Sequence, residues 1–343
     1  SPGSRPKPAS EMARVTVNEP VGTVTATAQR RLPAFWRIIP LAFYLLAFSL
    51  VRGDLARLPG SVTDLSLHLY FAAMALYVGG MFAYFAFFAY RTEALRWLGI
   101  ALVAPGAAIH LTAIITRGFA DGHYPLANMY EYSSMLALVA VTVFLLMTVR
   151  WPVASLGGGV ALFIVVMLMG IGYGLYQSPE PLVPALQSYW LKIHVSSMMA
   201  SSGILVSSFV FAALYLVKDR SASVKSWLNG SGIAARLPSL ETLDRLTFRA
   251  ILLGFPIWTF GTMAGAVWGE HAWGRWWGWD PKETWAAITW IIYAIYLHAH
   301  SLRAWRGRRT ALIATAGFIS IMITLYAVNL WIVGLHSYAK GAG

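Results

Sequence analysis

The chain of 343 residues contains no cysteine, and only 12% of it is charged. The first absence excludes a disulfide framework, a thiolate-held metal and a cysteine nucleophile within this chain. The second argues against a cytosolic fold, because a soluble domain carries roughly a quarter of its residues as Asp, Glu, Lys and Arg. Acids are the scarcer charge: 14 Asp and Glu stand against 26 Lys and Arg, a net charge of +12. What fills the sequence instead is apolar, 58% of it hydrophobic, in runs long enough to cross a bilayer. In such a chain the basic excess reads as membrane topology, and no nucleic-acid partner is expected.

Eight runs have spanning length, at about 66–90, 97–116, 130–149, 153–175, 190–217, 248–268, 284–301 and 311–334. The expected fold is therefore all-α, a polytopic transmembrane bundle of eight core helices. A ninth hydrophobic segment, 34–51, is short and has Arg37 and Pro40 near its start. It either spans or lies in the interface, and spanning is the expectation. Residues 1–33 read as a disordered basic tail, 34–65 as the extra segment with an outer link, and 66–339 as the membrane domain. Nothing resembling a cleavable signal peptide precedes the first hydrophobic stretch.

Positive charge orients the bundle. The 218–249 link holds Lys218, Arg220, Lys225, Arg236, Arg245 and Arg249, and the 302–310 link holds four arginines and no acid. Both are expected on the cytoplasmic side. The 118–129 and 176–189 links, which contain no Lys or Arg, then face outward. Alternation puts the stretch HAWGRWWGWDPKETW, residues 271–285, on that outer side, together with the start of the 190 helix and the C-terminus.

That stretch holds five tryptophans in fifteen residues. An aromatic belt accounts for Trp190 and Trp331 but poorly for five indoles in one loop. Two histidines flank it, His194 in the first turns of one helix and His336 just past the end of the last. A bis-histidine heme site explains the paired imidazoles and the shelf of flat rings together. His271, inside the loop, is a third candidate ligand. Arg275 and Lys282 read either as partners for heme propionates or as solvated interfacial charges. Asp280, Pro281 and Glu283 have the pattern of a capping box, so Asp280 reads mainly as the cap of the following helix. His298 lies about 22 Å deeper, from fifteen residues at 1.5 Å each. His298 and His300 are about 200° apart around a helix and cannot both face the interior; depth favours His298 as the functional one. His110, within a helix, is the candidate second ligand if a deep site draws one from this chain, while His68 and His123 have weaker claims.

The run WGEHAWGRWWGWDPKETWAAITWIIYAIYLH resembles the tryptophan-rich WWD signature of the CcsA (ResC) family, the heme-handling membrane subunits of System II cytochrome c biogenesis. HYPLANMYEYS at 123–133, LVPALQSYWLKIHVSSMM at 182–199 and VNLWIVGLHSY at 328–338 resemble that family's segments in its order. The WWD element alone would also fit the wider heme-handling group that includes CcmC and CcmF. The resemblance implies that His194 and His336 ligate heme iron at an outer site. It implies that His298 holds or relays heme within the membrane. Trp273, Gly274, Trp276, Trp277, Trp279 and Asp280, with Trp268 before them, would cradle the porphyrin in a loop taken as 268–284. The expected cofactor is heme b. The expected partners are a CcsB (ResB) membrane subunit carrying a second transmembrane histidine, an apocytochrome c with a CxxCH motif, and a system that keeps its thiols reduced. The implied activity is presentation of heme for thioether attachment, as part of a holocytochrome c synthase. Heme transport to a separate ligase and a b-type electron-transfer subunit are the alternatives. The N-terminal extension through about residue 52 has no counterpart in the family.

Overall fold

The computed structural model describes residues 62–125, 127–150, 154–178, 186–223 and 237–335. The tail, the 34–51 segment and His336 lie outside them. The described residues form helices and turns with no strand: α1 Val62–Tyr90, α2 Glu93–Asp121, α3 Met129–Arg150, α4 Ala154–Gly174, α5 Tyr189–Ser223, α6 Leu240–Trp273, α7 Pro281–Ser301 and α8 Arg308–Met322. α8 continues through a π-helical turn, Ile323–Ala327, into a short last helix, α9 Val328–Trp331. Helices are the outcome that lipid imposes, since they satisfy the backbone within each segment. Spans Val62–Tyr90, Glu93–Asp121, Met129–Thr148, Tyr189–Arg220, Leu240–Trp273 and Arg308–Trp331 are long and apolar enough to cross a membrane. The protein is a polytopic helical membrane protein.

α1 packs on α2 and α4, and α4 on α3; α5 packs on α6 and α8, and α8 on α7. The α3–α5 contact joins these two groups. Lipid offers no hydrophobic drive for helix association, so close backbone approach at small residues takes over. The α5–α6 pair shows this. A Cβ on Gly254 would fall 2.9 Å from Leu205, one on Gly261 2.8 Å from Met198 Sδ, and one on Gly265 2.6 Å from the His194 ring. The two helices run antiparallel, each step of seven and four residues on α6 matched by an equal step back along α5.

Two helices outrun the apolar pattern. α6 begins at Leu240 and ends at Trp273, so the 218–249 link is helical at both ends and Trp268, His271 and Trp273 belong to a helix rather than to a loop. The expected 268–284 loop shrinks to residues 274–280, between α6 and the start of α7 at Pro281. The reason is capping. Gly274, at φ 71°, closes α6 by donating its N–H to Glu270 O at 2.8 Å. Asp280 opens α7 with the expected capping box.

Candidate functional site

The 274–280 loop is braced from three sides. Glu283 Oε2 accepts the N–H groups of Gly278 at 2.8 Å and Asp280 at 3.1 Å. Asp280 Oδ1 accepts Lys282 N–H at 3.1 Å, and its Oδ2 accepts the N–H of Leu335 at 2.7 Å. Arg275 lies flat across Gly278, where a Cβ would fall 0.7 Å from its Nη1, and reaches Glu283 at 3.9 Å. Trp279 sits in the left-handed region at φ 57°, an uncommon conformation for a residue with a side chain. Such backbone persists where surrounding contacts fix it, and here the Glu283 and Asp280 hydrogen bonds on either side do so.

Asp280 thus does two things, capping α7 and pinning the segment that leads to His336. Asp280→Ala removes the cap and leaves a Leu335 N–H without its acceptor, an expected loss of about 2–3 kcal/mol. Thermal unfolding of the detergent-solubilised protein measures it, and Asp280→Asn, which still caps, should lose clearly less. Equal melting of wild type and Asp280→Ala would rule out the double role.

Under the loop lies an open cavity with about 1190 Å³ of empty space, its mouth included. Its walls come from the 127–132 stretch at the start of α3, from α5, α6, α7 and the π turn of α8. Trp268, Trp273, Trp276 and Trp277 line it. Trp268 is buried, Trp273 meets it edge-on at 4.7 Å between ring centres, and Trp276 is 60% exposed at the mouth. Trp279 is not among the lining residues; its ring stands edge-on to Trp277 at 5.6 Å and is 70% exposed.

His194 is the imidazole in the cavity wall. Its Nδ1 lies 2.7 Å from Gly261 O, and its ring is nearly parallel to Trp268, 10° apart with centres at 6.2 Å. A carbonyl only accepts, so Nδ1 carries the proton in this contact. Backbone anchoring of the far nitrogen is how proteins orient a ligating histidine.

The other predicted residues fall as follows. Lys282 lines the cavity and donates to Asn329 Oδ1 at 3.0 Å; Arg275 does not line it. His271 is exposed on the last turn of α6, with Nδ1 2.8 Å from Val267 O and Glu270 at 3.4 Å. His298 points out of the bundle near the end of α7 opposite the loop, on an exposed stripe with Ile291, Ile295 and Leu302. The interior position belongs to His300, whose Nε2 meets Asp244 Oδ2 at 2.9 Å and whose ring stacks on Phe248 at 4.3 Å. That corrects the expectation that His298 is the inward one: an acid on α6 compensates the burial of His300. His110 is fully buried between Tyr77 and Ser134, at 3.3 and 2.9 Å. It does not line the cavity. His68 is exposed, and His123 sits in the turn after α2.

Sequence reasoning missed Gly261, Gly265, Trp258, Met129 and Asn329. The four-residue glycine spacing in GTMAGAVWG was a usable signal, as was a lone Asn in the last apolar run. Trp258, buried with Nε1 donating to Ala286 O at 3.3 Å, carried no signal apart from other apolar residues.

Residues 126–336 match the model of the family described as cytochrome C assembly protein. Every residue lining the cavity falls within that span. The cytochrome c biogenesis protein CcsA of Synechococcus sp. (strain CC9605) is 38% identical over 274 residues, which cover 74% of this chain and 90% of that protein. CcsA of Porphyra purpurea is 38% identical over 266 residues, 67% of this chain and 83% of the relative. CcsA of Guillardia theta is 39% identical over 249 residues, with 68% and 82% covered. Among solved structures, a cytochrome c heme lyase, CcmF, superposes with a TM-score of 0.62 at 18% identity, a likeness of fold. The superposition covers 82% of this chain and half, 50%, of that longer one.

Proposed function

We propose that this chain, which belongs to the CcsA family of cytochrome c assembly proteins, holds heme b in the cavity beneath its tryptophan loop and presents it for covalent attachment to apocytochrome c. One observation carries the reading: His194, anchored at Nδ1 by Gly261 O, stands in the wall of a cavity lined by four loop-end tryptophans. The residues suit such a ligand. Imidazole suits the iron, indole faces suit the flat ring, and Lys282 offers a cation to a carboxylate.

In this reading His336 is the second axial ligand. It follows Leu335 in the chain, and Leu335 is pinned by Asp280 beside the cavity. The tryptophan loop and the C-terminus lie on the outer side of the membrane, as the basic links indicate. The functional unit is the 66–339 membrane domain, which supplies every lining residue.

Heme supplies two vinyl groups as acceptors. Each reduced CxxCH thiol adds across one of them: a C–S bond forms at one carbon, the thiol proton passes to the other, and no net electron is transferred. Thiols oxidised to a disulfide have no such proton to give, so a thiol-reducing system belongs to the scheme. The chain's own residues hold position. Trp268 and Gly261 fix His194, the loop aromatics hold the ring plane, and orientation of this kind contributes much of the rate in a bimolecular addition. The partner is a CcsB-type subunit, and the outward-facing His298 with its apolar stripe is suited to meet it.

The test is expression with a CcsB-type partner and a CxxCH apocytochrome in cells lacking other ligation systems. Thioether-linked heme on the cytochrome is expected, and His298→Ala should lower it while the purified chain keeps its cavity heme. A heme-loaded protein that yields no covalent heme would instead make the chain a heme exporter serving a separate ligase.

A further inference from the structure

We propose that Lys282 is the carboxylate-binding subsite of the cavity and that Asn329, on the far side of the π turn, is the residue that positions it. The proposal rests on the heme reading and specifies which cation meets a propionate.

Lys282 is unusually placed for a structural lysine. It is the second residue of α7, after Asp280 and Pro281, where the helix dipole disfavours a cation. It is partly withdrawn from water and lines the cavity. Among the described residues no carboxylate comes within ion-pair distance of its ammonium. The nearby Asp280 carboxylate is occupied by α7 and by Leu335. One of its three N–H groups donates to Asn329 Oδ1 at 3.0 Å, and the other two remain for a ligand. Asp280 acts on the Lys282 charge only through space, without a direct ion pair, so an anion in the cavity would offset more of the cost of its partial burial.

Asn329 is built to hold that ammonium. It is 2% exposed, and its Nδ2 donates to Leu325 O and to Met129 Sδ, the latter at 3.2 Å. Both ends of the amide are therefore committed, and its orientation is fixed by α8 and α3 together. The π turn sets its direction. One extra residue in a helix rotates everything beyond it by about 100°, so a regular α-helix through 323–327 would swing Asn329 away from Lys282. Single π turns of this kind recur at functional sites. Arg275, the other candidate, is spent on Gly278 and Glu283 and brings no atom to the cavity.

Titration of the full-length purified protein with heme and with heme dimethyl ester, whose propionates are blocked, reads the subsite directly. Wild type should favour free heme about tenfold to a hundredfold, the range of one charge-assisted hydrogen bond. Lys282→Met should bind both porphyrins alike, with the affinity for the ester unchanged, which also shows that the cavity is intact. Asn329→Asp, which places a carboxylate against the ammonium, should erase the preference. Asn329→Leu should reduce it, and should add nothing in a Lys282→Met background if it acts through the lysine. A preference retained in Lys282→Met overturns the subsite and leaves the heme reading standing. Failure of wild type to bind either porphyrin overturns both.

Discussion

On the heme reading proposed above, His194→Ala is expected to strip the purified protein of a bis-histidine heme spectrum and to stop covalent heme transfer in cells. Among the described residues no neighbour is placed to take over. Among the described residues no cluster of three or more potential metal ligands exists, and His194 is the only imidazole lining the cavity. His271, the next in sequence to the loop, is turned back to Val267 O and exposed. Loss of an outer-shell partner alone costs a metal site roughly 10–100-fold in affinity, and loss of the ligand itself should exceed that. The alanine leaves a gap against Trp268 that free imidazole can fill, so added imidazole should restore part of the spectrum. Absorption spectra and heme content of wild type, His194→Ala and His271→Ala decide the matter. An unchanged spectrum in His194→Ala would place the ligand elsewhere.

Gly265→Val should come close to that effect without touching the imidazole. Its Cβ would lie 2.6 Å from His194 Nδ1 and Cε1, a distance at which something must move. The ring cannot slide along its own plane without losing Gly261 O, nor tilt without leaving Trp268. Overpacking of this sort costs about 1–3 kcal/mol, and the displaced ligand should lower heme affinity by roughly 10–100-fold. Gly170→Ala is the control. A Cβ there meets nothing within 4 Å, and alanine in a helix interior is worth about 0.5–1 kcal/mol over glycine. Heme affinity equal to wild type in Gly265→Val would show that α5 and α6 separate freely at this point.

The bundle was legible because a membrane demands long apolar runs, and the runs mark the middles of helices well. Their ends were not, since α6 outlasts its apolar stretch on the strength of a serine cap at one end and Gly274 at the other. The tryptophan stretch was legible as an excess, and His194 as its neighbour. The division of labour inside the stretch was not. Arg275 and Lys282 look alike in sequence, yet one braces a loop and the other lines a cavity, because seven residues and a helix start separate the directions they point. Periodicity correctly required His298 and His300 to part, but depth does not say which one is inside. The answer lay in Asp244, a partner on another helix within a stretch that reads as a polar link.

The Asp280–Leu335 hydrogen bond joins residues 55 apart in sequence, and Lys282 and Asn329 are 47 apart. On a ribosome adding about 5–20 residues per second, Asp280 waits roughly 3–11 s for the segment it pins. During that interval the nascent chain has its tryptophans but no finished chamber around them. The chamber is therefore complete only after synthesis has passed the last helix, and a truncated product lacks it.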